Sequence, residues 1–79
     1  MFQISLKAAR INAGFTMSEA AKNLEIYSKM LSKYEKDSSN ISLVLLDKMA
    51  HLYQIPEDYI FLGKESELIR ILSEKGEKM

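Results

Sequence analysis

The sequence predicts an all-α chain of short helices, and three observations carry that prediction. The stretch Thr16 to Glu35 reads as two short amphipathic helices joined by a turn too tight for a helical hairpin. After Ser42, apolar residues recur at helical spacing as far as Tyr53. Before, between and after these runs stand residues that end helices or form turns: Gly14, the group Asp37 to Asn40, and Gly63.

Each element follows in order. The first helix is expected from about Ser5 to Ala13, with Ser5 as N-cap and Gly14 at the C-terminal end, burying Leu6, Ala9 and Ala13. The second runs from Met17 to Leu24. Thr16 and Glu19 form a capping box in which each side chain answers an otherwise unpaired amide of the other. Its apolar stripe is Met17, Ala20, Ala21 and Leu24, mostly small residues that let another helix approach closely. The third helix, Ser28 to Lys36, sets Leu31 and Tyr34 on one side and Lys29, Ser32, Lys33 and Lys36 on the other. Asp37, Ser38, Ser39 and Asn40 compete with helix through local hydrogen bonds and make a loop. Ser42 caps the fourth helix, which turns Leu43, Leu46, Met49, Ala50 and Tyr53 inward and forms the centre of the core. Pro56 opens the next helix, Glu57 and Asp58 suit its dipole, and Gly63 ends it. The tail carries a short apolar group, Leu68, Ile69, Ile71 and Leu72, before a polar end.

Composition narrows the function classes. Seventy-nine residues, 47% hydrophobic, suit one small domain with a core but little room for an enzyme cleft. The expected organisation is a folded unit over residues 1–64 and a C-terminal extension, 65–79, as a short helix or tail. Absence of cysteine excludes a disulfide framework or thiolate metal site and is compatible with a reducing compartment. No apolar run suits a signal peptide or membrane span, so a soluble cytoplasmic protein is expected. Formal net charge is zero, which counts against a strong nucleic-acid binder. Its distribution is uneven, however: residues 1–54 balance to +2 and residues 55–79 to −2. Lys29, Lys33 and Lys36 share one helical face. Taken alone, such a stripe is more often the solvated side of an amphipathic helix, and only its position within the larger motif reverses that reading.

From about Leu6 to about Leu62 the chain resembles the helix-turn-helix regulators of the lambda repressor and Cro type, the xenobiotic response element family. The resemblance rests on Leu6, Lys7 and Arg10 followed by Gly14, Phe15 and Thr16; on Ala21 and Ile26; on Leu31, Tyr34 and Glu35; and on the run from Asn40 to Phe61. It implies a compact bundle of about five short helices containing the helix-turn-helix, with a possible sixth at the C-terminus. It also implies a bacterial or phage regulator that binds duplex DNA, and Asp58 to Phe61 as a short closing helix. Arg10 and Glu35 stand where the family keeps a largely buried structural ion pair; the alternative is two unrelated surface charges. Four positions depart from the family pattern. Glu25 replaces the glycine of the turn, Met17 the glutamine that often touches phosphate, Tyr27 the small hydroxyl residue that caps the recognition helix, and Ile41 a common proline.

A recognition helix in the major groove presents its first turns to base edges, which makes Ser28, Lys29, Ser32 and Lys33 the candidates for base contacts. Lys36, Ser39, Asn40 and Ser42, with Arg10 and the Met17 position, are candidates for the DNA backbone. Tyr27 and Met30 flank the basic face, and either cover core or touch a thymine methyl or sugar. A dimer or partner surface is sought in Val44, Leu45, Tyr59, Phe61, Leu68, Ile69 and Leu72. The competing reading folds the tail back over Val44 and Leu45. The expected function is operator binding as a homodimer, with repression by occupancy. The alternative is a protein-interaction module of the same fold that has given up DNA. Neither an enzymatic activity nor a cofactor, metal, membrane or small-molecule substrate is expected: His51 is the only histidine and has no nucleophile or second ligand at motif spacing.

Overall fold

The computed structural model describes residues 3–77, with side chains through Ser73. Among these residues five α-helices follow in order: α1 (Leu6–Asn12), α2 (Met17–Leu24), α3 (Ser28–Lys36), α4 (Leu43–Tyr53) and α5 (Glu65–Glu77), with a single 3-10 turn, Glu57–Tyr59, between the last two. Among the described residues there is no strand, only two isolated bridges, Ile4 with Ile60 and Asp37 with Lys64. The fold is all-α, as predicted.

Local chemistry explains where the helices start. Ser5, Thr16 and Ser42 are N-caps whose hydroxyls accept from the amides of Ala8, Glu19 and Leu45 at 3.0, 3.1 and 3.1 Å. At α2 the Glu19 carboxylate accepts from the Thr16 amide at 2.9 Å, completing the capping box and holding its pKa below the ordinary glutamate value.

The endings of α1, α2 and α4 share one geometry. In each, a residue with positive φ, Gly14 (85°), Glu25 (59°) or Gln54 (54°), reverses the chain. The next residue, Phe15, Ile26 or Ile55, donates its amide to a carbonyl five positions back, at 3.1, 3.0 and 3.0 Å. This is the Schellman ending, and each time the residue after the reversal folds its apolar side chain back onto the core.

The core lies where α1, α2, α3 and α4 meet. Ala20 and Ala21 let α2 settle against α3 and α4, and Leu31, Met49 and Ile60 are its largest fully enclosed side chains. Phe15 packs against Tyr53 with ring centroids 6.2 Å apart.

Four expectations are corrected. Ala13 is exposed because it sits at the cap of α1, where the chain is already leaving the helix. Leu43 is 79% exposed: it is the first residue of α4, and side chains lean toward a helix N-terminus, past the edge of the packed layer. The helix expected from Pro56 to Gly63 is only the 3-10 turn. Its next backbone groups are taken by the N-terminal segment, the Ile4 amide donating to the Tyr59 carbonyl and the Phe61 amide to the Ile4 carbonyl, both at 2.8 Å. The tail forms α5, but that helix packs against α3 and leaves Val44 70% exposed, so it does not fold back over that residue.

Candidate nucleic-acid interface

α3 is held by what it buries. Leu31 is fully enclosed, and one turn later Glu35 is buried as well. The opposite face carries Lys29, Lys33 and Lys36, all exposed, with Ser28 exposed and Ser32 half-buried beside them. Lys33 and Lys36 also fall in the last helical turn, where the helix dipole favours cations. The only carboxylate of α3 therefore points inward and its three ammonium groups point outward.

Glu35 is neutralised from α1. Arg10 Nε donates to Glu35 Oε2 at 2.7 Å and Nη2 to Oε1 at 3.2 Å, a two-pronged contact, while Nη1 donates to the Phe15 carbonyl at 2.9 Å. The hydrogen bond to Glu35 raises the Arg10 pKa above its ordinary value, although burial opposes it. With all three nitrogens engaged and the residue 7% exposed, Arg10 is held in this pair. Met17, at the other expected backbone position, is half-buried and packs against the core.

The loop after α3 divides its serines between two tasks. Ser39 stays on the surface, its amide and hydroxyl donating to Asp37 Oδ1 at 3.0 and 2.6 Å, which lowers the Asp37 pKa. Asn40 is exposed in the turn, and Ser42 is occupied as the cap of α4. Ser38 is buried. Its hydroxyl accepts from the Gly63 amide at 3.0 Å and lies 3.2 and 3.3 Å from the Phe61 and Gly63 carbonyls, while its own amide donates to Gly63 at 2.9 Å. It ties the end of α3 to the start of α5, a role that nothing in a run of turn-forming residues distinguishes.

A helix-turn-helix family profile matches residues 6–60, spanning α1 through the 3-10 turn. The chain belongs to the helix-turn-helix family of the lambda repressor and Cro type. It is also similar to the HTH-type transcriptional regulator ImmR of Bacillus subtilis (strain 168), with 43% identity over 60 residues, 76% of this chain and 46% of that protein. The chain thus spans about half the length of this curated relative.

In this helix-turn-helix, α2 and α3 are the paired helices and Glu25 is the hinge between them. The expected sites separate into groups. Ser28, Lys29, Ser32 and Lys33 lie together along the first two turns of α3, with Lys36 at its end and the loop residues beyond. Tyr27 and Met30 are 81% and 43% exposed, so the structure removes them from the core. Of the apolar set, Val44, Tyr59, Ile69 and Leu72 are exposed, Leu45 and Phe61 are half-buried, and Leu68 is buried. His51 is exposed, with Nδ1 2.9 Å from the Asp47 carbonyl, a contact that raises its pKa. No group of three or more His, Cys, Asp or Glu among the described residues is placed to hold a metal, and no helix there is long and apolar enough to cross a membrane.

Proposed function

We propose that this chain is the DNA-binding part of a transcription regulator, which docks α3 in the major groove of duplex DNA and represses by occupying an operator. Ser28, Lys29, Ser32 and Lys33 meet base edges, and Lys36, Ser39, Asn40 and Ser42 approach the backbone. One observation carries the reading: in a helix-turn-helix, the second helix turns its lysines out and its carboxylate in. The name of the Bacillus relative, a transcriptional regulator, supports it.

With zero net charge and only a handful of cations on this face, one domain supplies modest electrostatic affinity. Binding as a homodimer to a two-fold-symmetric site compensates, with residues 1–64 as the DNA-binding unit and 65–79 as an extension bearing part of the dimer contact. Val44, Tyr59, Ile69 and Leu72 are its exposed apolar candidates. The same exposed groups favour the second reading, a protein-interaction module that has lost DNA.

Selection from a random duplex pool, repeated across a salt series, tests both. A palindromic site with steep salt dependence is expected. Lys29→Ala combined with Lys33→Ala should weaken binding by on the order of tenfold or more per lysine, with helicity and self-association unchanged. If that double variant binds the selected site as well as the parent, the assignment of α3 is wrong. If the parent enriches nothing even at low salt, the interaction-module reading takes its place.

A further inference from the structure

Two side chains at the leading end of α3 belong neither to the core nor to the lysine stripe. Tyr27 occupies the N-cap position, yet it makes no capping hydrogen bond and is 81% exposed. Its ring does nothing for the helix start that a serine would not do better. Met30, three residues on, is 43% exposed and lines a shallow depression on the outer side of α3 with Lys29, Lys33 and Tyr34. Both are exposed apolar groups at the leading end of α3, and Met30 shares its depression with Lys29, Lys33 and Lys36, while the helix's only carboxylate is buried on the far side.

That combination constrains the occupant. It must bring hydrogen-bond acceptors to meet Lys29 and Lys33 and small apolar projections to meet a phenol ring and a thioether. The major groove of duplex DNA supplies both, in the O6 and N7 acceptors of guanine and in the C5-methyl of thymine, the one apolar projection on its base-pair edges. Position agrees with chemistry, because the first turn of a recognition helix is the part that reaches the bases.

Resting on the DNA-binding reading above, we propose that Tyr27 and Met30 are specificity-determining residues that read thymine, packing against C5-methyl groups while Lys29 and Lys33 address neighbouring guanines. The flexible, polarisable methionine adapts to the methyl group, and the tyrosine ring offers it a rigid face. The operator then carries thymines next to the bases that the lysines contact, and part of its selectivity depends on a single methyl group.

Deoxyuridine differs from thymidine by that methyl alone. Each thymine of the selected operator is replaced in turn, and Kd is measured for the parent and for Tyr27→Ala, Tyr27→Phe and Met30→Ala. The parent should lose about fourfold at one or more thymines, the worth of one buried methyl. Met30→Ala and Tyr27→Ala should each become indifferent to replacement at one of those positions, and Tyr27→Phe should keep the parent's sensitivity. Both residues are on the surface, so all variants should retain the parent's helicity. A parent indifferent to every replacement, or alanine variants as sensitive as the parent, would overturn thymine reading while leaving DNA binding intact. Tyr27→Phe behaving like Tyr27→Ala would overturn it for Tyr27, since the hydroxyl would then be the contact. A parent that binds no duplex even at low salt removes the DNA-binding reading itself, a failure distinct from the others.

Discussion

Glu35 shows how much a single side chain can carry in a domain of this size. Truncating it to alanine strands the buried Arg10 with only the Phe15 carbonyl of its three contacts remaining. The expected loss is about 3–5 kcal/mol, close to the whole stability of a small domain. Urea unfolding of Glu35→Ala should therefore show either a much lower midpoint or no native baseline. A change under 1 kcal/mol would mean that the pair is not the anchor its geometry implies. The partners stand 25 residues apart, a separation at which no helical or strand period links two charges. Their pairing could be expected only through the family resemblance, and Ser38 was not legible at all, because its role depends on Gly63, distant in sequence and hidden until the chain has folded.

Among the elements, starts were more legible than stops. Ser5, Thr16 and Ser42 declare their helices because a cap acts on amides two or three residues away, within one reading window. Of the three Schellman endings, only the first uses glycine. Glu25 and Gln54 accept the left-handed conformation at a steric cost, visible in sequence only as a departure from the expected residue. Glu25→Gly should relieve that cost and stabilise the domain by about 1 kcal/mol, partly offset by the greater freedom of glycine in the unfolded chain. A rise of several degrees in Tm is the expected readout. A lower Tm would show that the Glu25 side chain contributes more than its backbone costs. The 3-10 turn falls short of the helix its sequence predicts for the opposite reason: its own residues favour helix, and Ile4, more than fifty positions away, takes the backbone groups that would extend it.

The behaviour of the whole molecule at alkaline pH depends on Tyr53. Its hydroxyl is buried without a hydrogen-bond partner, and burial pushes its pKa up to about 12. In the unfolded chain a tyrosine ionises near about 10, so above that pH the unfolded state releases its proton first. The contribution of this group to stability is complete below pH 10 and is lost as pH rises toward 12, by about 1.4 kcal/mol per pH unit. Tyr53→Phe should remove that part of the alkaline decline and be neutral or slightly stabilising at pH 7, since no bond is lost. Urea midpoints at pH 7, 10 and 11 that fall in parallel for the two proteins would exclude Tyr53 as the source.

The stitch between Ile4 and the 59–61 segment closes the bundle almost into a ring. Its entry and exit lie side by side, a few ångströms apart, although nearly the whole helical unit runs between them. The order in which the helices are threaded is therefore nearly independent of how they pack. A short link across the stitch in place of α5, with a new opening in the exposed turn at Ser39 and Asn40, would give a circular permutant that keeps the core between α1 and α4. For the same reason, any segment tethered to either end of the unit sets out from one pole, and both tethers compete for the same space.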